Sequence, residues 1–208
     1  MNNIELVDAL KLHLNNGISN EATTILEEAI YRITNIGKYN SKIFKRGTTL
    51  TVSSCEQFTI SEKSVNDSWE EIRKRENGKG TPTPSFDDDI WDWFKKKTIP
   101  AIKQNFTGTI QRFTETVSHR QILDEAEKLS IKKIYSWLEA KRIIHQAILQ
   151  GEVDVRGTSV IAYFKVEGND TLYRFSAYRC GGDRLSVIVS GVDLEDKYGA
   201  GDGACFSN

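Results

Sequence analysis

The sequence predicts an α+β fold in which N-terminal and central helices pack on a C-terminal antiparallel meander of three or four strands. Helix-like apolar periodicity runs through most of residues 1–149, and three strand-like runs separated by tight-turn signals follow it. Helices followed by a contiguous sheet are typical of α+β proteins, whereas regular alternation of the two would predict a parallel sheet.

We expect one domain over residues 1–208, because a chain of this length can bury one core of ordinary size. The composition marks one alternative subdivision. A helical hairpin plus a short β-hairpin would occupy 1–77, a loop or linker 78–86, and helices followed by the antiparallel sheet 87–208. The stretch at 78–85 holds two of the three prolines and two glycines, which favours a loop there.

The first 37 residues predict the helical hairpin. Apolar side chains recur at helical spacing in two runs, and Gly17 and Gly37 follow the runs as stop signals. Between residues 42 and 60, β-branched threonines and alternating apolar side chains predict a short β-hairpin. A polar helix is predicted over the next segment, WEEIRKREN at 69–77.

The segment DDDIWDWFKKK at 87–97 predicts a short helix whose aspartates lie at its start and whose lysines lie at its end, as the helix dipole favours. Asp87 is well placed as its N-cap. Trp91 lies at the margin of a wide apolar face, so it is the candidate residue for binding a protein partner.

Three further helices are predicted before the sheet. The clearest covers residues 99–117, where apolar side chains recur at spacings of three and four, and a pair follows at 120–129 and 131–149. The three strand-like runs lie at 158–166, 171–180 and 184–192, and EVDVR at 152–156 is a candidate fourth strand. The glycine-rich tail after residue 192 is predicted to be turn and irregular structure.

Composition limits the cellular setting. No run of about 18 apolar residues is present, and the N-terminus interrupts its apolar side chains with charged ones, so neither a membrane-spanning helix nor an export signal is predicted. Cys55, Cys180 and Cys205 are few and far apart. We therefore expect a soluble, reduced, cytoplasmic protein with no metal and no cofactor.

A basic segment supports one functional hypothesis, nucleic-acid binding. Residues 95–145 carry 11 lysines and arginines against 5 aspartates and glutamates. Such a surplus can neutralise phosphates, although solvated faces of amphipathic helices account for it equally well. The candidate contacts are Lys95, Lys96, Lys132, Lys133, Lys141 and Arg142.

Two histidines extend that hypothesis to a metal-independent ribonuclease. Cleavage of RNA without a metal needs a base, an acid and a cation, and His119, His145 and Arg112 supply those residue types. The histidines belong to different predicted helices, so their convergence does not follow from the sequence.

The leading hypothesis is a small non-catalytic protein that binds a protein partner as an inhibitor, adaptor or immunity-type factor. No nucleophile elbow, zinc-protease, phosphate-loop, dinucleotide or kinase motif is present. Charged segments of opposite sign suit electrostatically steered recognition of another protein.

Overall fold

The computed structural model describes three isolated residues, Leu10, Leu26 and Ile30, and most of the chain from residue 41 onward. The continuous described ranges are 41–54, 58–59, 69–76, 80–86, 98–99, 101–102, 104–131, 134–154, 157–166, 168–180 and 184–206. Contacts divide the chain into two compact units, Met1–Ser41 and Lys42–Asn208. The three isolated residues of the first unit are helical.

The second unit consists of strands and three short helices within its described ranges. The strands are β1 (Phe44–Val52), β2 (Phe58–Thr59), β3 (Gly80–Phe86), β4 (Thr98–Ile99), β5 (Phe106–Phe113), β6 (Val117–Ser118), β7 (Ser159–Val166), β8 (Asn169–Cys180), β9 (Arg184–Gly191), β10 (Lys197–Tyr198) and β11 (Gly203–Phe206). The helices are α1 (Glu70–Arg75), α2 (His119–Lys128) and α3 (Trp137–Leu149).

Seven strands form one mixed sheet in the order β1-β5-β11-β7-β8-β9-β3. The pairs β11-β7 and β3-β9 are parallel, and the other neighbours are antiparallel. Two further sheets have two strands each, β10-β6 and β2-β4, and both are antiparallel. The sheet is therefore mostly antiparallel, with one parallel pair near its centre and another at its edge.

Helix α3 covers one face of this sheet. Its buried Ile144 and Ile148 share one apolar core with Val160 and Phe175. Side chains that alternate with these point to the opposite face, which we call the α2 face because His119 at the start of α2 contacts Tyr163 there. Both faces are buried over the central strands, so β7 is almost continuously apolar.

Both longer helices begin with a reciprocal capping box. The hydroxyl of Ser118 accepts from the backbone N–H of Gln121, whose side chain accepts from the backbone N–H of Ser118. Ser136 and Glu139 do the same for α3. Each box satisfies two N–H groups that a helix start otherwise leaves unpaired, and so fixes where the helix begins.

The predicted arrangement of helices on a C-terminal meander is wrong. The main error is the helix predicted over 99–117, which is instead β4, β5 and β6. Phe106 and Ile110 lie on one face of β5 and Phe113 on the other, so spacings of four and three arise from a strand buried on both faces. Such a pattern imitates a helical stripe.

Two other segments predicted to be irregular are strands. Gly80–Phe86 pairs with β9 at the edge of the sheet, the position where a strand tolerates proline. Gly203–Phe206, in the tail, enters the centre of the sheet between β5 and β7. Between α3 and β7, Glu152 and Val153 form a turn rather than the lead-in strand that was predicted.

Other predictions are confirmed. The three C-terminal runs form the antiparallel succession β7-β8-β9, and helices occur near 69–77, 120–129 and 131–149. Residues 44–52 are a strand, but their partner is β5 rather than a neighbouring hairpin strand. Throughout the described ranges, no helix is long and apolar enough to cross a membrane.

Candidate ligand-binding site

A cluster of four polar side chains from four elements lies on the α2 face of the sheet. His119 at the start of α2 is fully buried, and its Nδ1 lies 2.5 Å from the hydroxyl of Tyr163 on β7. A guanidinium nitrogen of Arg174 on β8 lies 2.5 Å from Nε2 of His119 and 2.6 Å from the hydroxyl of Tyr198 on β10. Tyr163 and Arg174 are register partners, which places them side by side on this face.

The hydrogen bonds assign the protonation of His119. A guanidinium can only donate, so Nε2 of the imidazole accepts and Nδ1 carries the hydrogen that is donated to Tyr163. Burial, together with the charge of Arg174, lowers the pKa of His119 to about 4. The histidine is therefore neutral at physiological pH, with both ring nitrogens in hydrogen bonds.

Arg174 has its remaining contacts on neighbouring elements. Its Nε donates to the hydroxyl of Ser190 at 3.0 Å, and a terminal nitrogen lies 3.6 Å from the carboxylate of Asp196. The guanidinium also lies over the ring of Tyr198, 5.6 Å from the ring centroid. Arg174 thus joins β8, β9, α2 and β10, and it holds Tyr198 in place.

Beside this cluster is an open cavity of about 260 Å³, which we call the Tyr178–Tyr198 cavity. Tyr198 belongs to both the polar cluster and the cavity, because its hydroxyl accepts a hydrogen bond from Arg174 and the residue also lines the cavity. Burial raises the pKa of Tyr198 to about 12, so this wall is an uncharged phenol. The cavity is lined by Gly157, Thr158, Ser159, Tyr178, Arg179, Tyr198 and Asp202.

Ser159 is the unusual member of this lining. The residue is only 7% exposed. Its hydroxyl has no hydrogen-bond partner within the part of the chain that the structure describes. Buried hydroxyls in folded proteins are nearly always paired, because an unpaired one costs about 1–3 kcal/mol. The fold therefore leaves the hydrogen-bonding capacity of this lining residue's hydroxyl unused.

Asp202 fixes the backbone around the cavity. One carboxylate oxygen accepts from the backbone N–H of Ser159 at 2.6 Å and the other from that of Gly199 at 2.9 Å. The backbone carbonyl of Asp202 accepts from the N–H of Phe113 at 2.7 Å. The carboxylate therefore ties the start of β7 to the loop before β11.

Arg179, the cationic side chain among the described lining residues, is already paired with carboxylates. It donates two hydrogen bonds to Glu76, at 2.9 and 3.0 Å, and one to Asp154 at 2.8 Å. Arg75 pairs with the same two carboxylates. These contacts hold the pKa of Arg179 above its usual range and that of Asp154 below its usual range. The four groups form a charge-balanced network that joins α1 to β8.

The structure does not bring together the three residues considered for RNA cleavage. His119 lies on the α2 face, whereas His145 lies in α3 and packs against Trp69 in the core on the other face. Arg112 shares the α3 face and pairs with Glu152 at 2.6 Å.

The imidazole of His145 is buried apart from the cluster around His119. Burial, with smaller contributions from Arg142 and Lys141, lowers its pKa to about 4. Neither ring nitrogen has a hydrogen-bond partner in the described ranges, and the nearest carboxylate oxygen belongs to Glu71, 4.0 Å from Nε2. It is thus a buried, neutral histidine whose ring nitrogens form no hydrogen bond to any described residue.

The basic residues considered for nucleic-acid binding are only partly described. Lys141 is 4% exposed, and its ammonium lies 5.7 Å from the centroid of the Trp137 ring. Arg142 is half-buried. The remaining candidates lie outside the described residues, and so does the partner-binding candidate: Lys95, Lys96, Lys132, Lys133 and Trp91.

Sequence reasoning missed the cavity residues. A signal was present in β8, where Arg174, Ser176 and Tyr178 fall on one face of a strand whose neighbours are apolar. Polar side chains on a buried strand point to a polar site. The contribution of Asp202 was hidden, because the tail was not recognised as a strand. Nowhere in the described ranges do three or more metal-ligating side chains cluster.

Comparison of the chain with protein-family models, with curated proteins and with solved structures finds no match.

Proposed function

We propose that this protein binds a small ligand non-covalently in the Tyr178–Tyr198 cavity. The observation that carries the proposal is that Ser159, a residue of the cavity lining, has a buried hydroxyl with no hydrogen-bond partner among the described residues. A ligand group that pairs with this hydroxyl would recover the free energy that the unpaired group costs, about 1–3 kcal/mol.

The size and placement of the cavity support this role. Its volume of about 260 Å³ lies just under the range of roughly 300–1,000 Å³ typical of drug-sized ligands, so we expect a ligand with one small ring or its equivalent. The walls come from the paired strands β7 and β8, from Tyr198, which Arg174 holds in position, and from the loops that precede β7 and β11. A site held by a sheet is preorganised, which reduces the entropy cost of binding.

The state of His119 favours binding over acid-base catalysis in this cluster. A general base needs an accessible lone pair, but Nε2 of His119 accepts from Arg174, Nδ1 donates to Tyr163, and the ring is fully buried. The non-catalytic character predicted from the sequence is kept as part of this proposal.

The other predicted partners have less support. Leu194 is the large hydrophobic residue that stands exposed on the described surface, and a single such residue does not form an apolar patch of the kind that marks a protein interface. Nucleic-acid binding loses the buried Lys141 as a phosphate contact. A protein partner, nucleic-acid binding and a cytoplasmic location all remain untested predictions.

Nuclear magnetic resonance can test the proposal with a library of small single-ring compounds, both charged and uncharged. We expect some members to shift the backbone amide signals of Gly157, Ser159 and Asp202 in a saturable manner. A library that perturbs other surfaces but never these amides would overturn the proposal.

A matched pair of serine variants sharpens this test. Ser159→Ala removes an unpaired hydroxyl, so we expect stability close to that of the wild type and an affinity reduced about fivefold or more, as for a lost hydrogen bond. Ser176→Ala removes a second buried serine on the same face that does not line the cavity, and it should leave affinity unchanged. Equal affinity in both variants would contradict the role of Ser159.

A further inference from the structure

We infer that the ligand of the Tyr178–Tyr198 cavity is a small organic ammonium ion. The inference rests on the proposed function, and it adds the charge and the chemical class of the ligand. Three features carry it: the balance of charges around the cavity, the aromatic walls, and the hydrogen-bonding groups left for a ligand.

Among the described groups in and beside the cavity, one carboxylate has no countercharge in contact with it. Arg179 is balanced within its network, which contains two arginines and the carboxylates of Glu76 and Asp154. Arg174 is opposed by Asp196 at 3.6 Å. Asp202, by contrast, bonds only to uncharged backbone N–H groups through its side chain in the described contacts. Its carboxylate is therefore the net charge that a ligand meets.

The surrounding loop does not offset this charge. Residues 193–202 carry four carboxylates and one lysine, and two of these carboxylates already face arginines, Glu195 facing Arg120 and Asp196 facing Arg174. A concave wall with one sign of charge raises the local concentration of ligands of the opposite sign. A phosphate or carboxylate ligand would instead meet repulsion, with no unpaired cation among the described lining residues to offset it.

The two tyrosine walls suit a cation. The face of an aromatic ring carries negative electrostatic potential and attracts a cation within about 6 Å of its centroid. Arg174 already lies over the ring of Tyr198, 5.6 Å from its centroid, so a ligand cation would use the other face of this ring or the ring of Tyr178. Alkylated ammonium ions bind well in such aromatic sites, because they are weakly hydrated and carry an apolar surface.

The hydrogen-bonding groups of the lining complete the description. A carboxylate has about four lone-pair positions, and the side chain of Asp202 uses two of them for Ser159 and Gly199. Acceptor capacity is therefore left for a cation or for an N–H group. The hydroxyl of Ser159 can donate to, or accept from, a polar group elsewhere on the same ligand.

The test compares choline with 3,3-dimethylbutan-1-ol, a neutral molecule of nearly the same shape in which carbon replaces the charged nitrogen. Titration of the full chain is followed by calorimetry and by the amide signals of Gly157, Ser159 and Asp202. We expect choline to bind at least tenfold more tightly than the neutral alcohol. This comparison uses the wild-type protein and does not depend on any variant.

Asp202→Asn is the second arm. Its amide keeps one oxygen that can accept from the N–H of Ser159, loses the bond from Gly199 because an NH2 group cannot accept, and removes the charge. The preference for choline should therefore fall to less than threefold. The melting temperature of the variant reports whether it has folded. A folded variant that kept the full preference would overturn the assignment to Asp202.

The outcomes separate this inference from the proposed function. Equal binding of choline and the neutral alcohol at the cavity amides would overturn the cation inference and leave the proposed function standing. Perturbation of those amides by neither compound, nor by any member of the compound library, would overturn both.

Discussion

The charged guanidinium of Arg174 donates a hydrogen bond to Nε2 of the buried imidazole of His119. Protonation of His119 would place two positive charges in contact inside the protein and would break this bond. The fold therefore depends on a neutral histidine, and Arg174 fixes both the histidine tautomer and the position of Tyr198 in the cavity wall. Stability and the proposed ligand binding consequently share one residue.

We expect stability to fall in mild acid. The pKa of His119 is 6.5 in the unfolded chain and about 4 in the folded one, so the unfolded state takes up the proton first as the pH decreases. The full contribution is present above pH 6.5 and is lost progressively toward pH 4. Between pH 7.5 and pH 5, His119 alone should reduce the free energy of unfolding by about 2 kcal/mol.

Urea unfolding across this pH range measures the effect, and His145, whose pKa is also about 4, should add a similar loss. Imidazole proton signals separate the two residues. A titration midpoint near pH 6.5 for His119 in the folded protein would contradict the prediction.

The charge and the geometry of Arg174 can be separated with two variants. Arg174→Gln removes the charge that helps to hold down the pKa of His119, so the titration midpoint should rise above 4. Arg174→Lys keeps the charge and should leave the midpoint closer to 4. Both variants lose hydrogen bonds to neighbours such as Ser190 and Tyr198 and should destabilise the fold by about 2–4 kcal/mol.

Titration of the His119 imidazole signals in each variant gives the midpoints, and denaturant unfolding gives the stabilities. Equal midpoints in the two variants would show that the charge of Arg174 does not act on His119.

The pairing of Glu76 with Arg179 should matter far more than an exposed ion pair. Glu76→Gln removes one of the two carboxylates that pair with Arg179 in the described contacts, and the side chain of Arg179 is 13% exposed, so we expect a loss of about 3 kcal/mol. Glu70→Gln is the matched control, because its pair with Lys74 is exposed and should contribute less than about 0.5 kcal/mol.

Thermal or urea unfolding of both variants checks this prediction at neutral pH. Comparable losses in the two would mean that burial does not strengthen the Glu76 pair.

The sequence could predict elements that local chemistry determines, such as turns. It could not predict elements whose structure depends on residues distant in the sequence. The turn around Gly168, which has φ of +78°, made the β7-β8 hairpin predictable. The segment that ends at Phe113 was wrongly predicted to be a helix, because burial of β5 on both faces placed apolar residues at helix-like intervals. The cavity was beyond prediction, since Ser159 and Asp202 meet only after the tail has entered the sheet.

The entry of the tail into the sheet requires glycine at the start of β11. A Cβ atom at position 203 would lie 2.8 Å from Cγ2 of Ile110 and 3.1 Å from the backbone oxygen of Gln111 on the neighbouring strand. Gly203→Ala should therefore force the central strands apart and reduce the free energy of unfolding by about 1–3 kcal/mol. Gly191→Ala is the control, because a Cβ there meets nothing within 4 Å.

Urea unfolding of the two variants gives the comparison, and we expect Gly191→Ala to lie within about 0.5 kcal/mol of the wild type. Gly203→Ala should also weaken ligand binding, because Asp202 adjoins the displaced residue and its carboxylate holds the backbone of Ser159. Wild-type stability in Gly203→Ala would mean that β11 does not pack against β5 at this distance, and the cavity that depends on its position would then be in doubt as well.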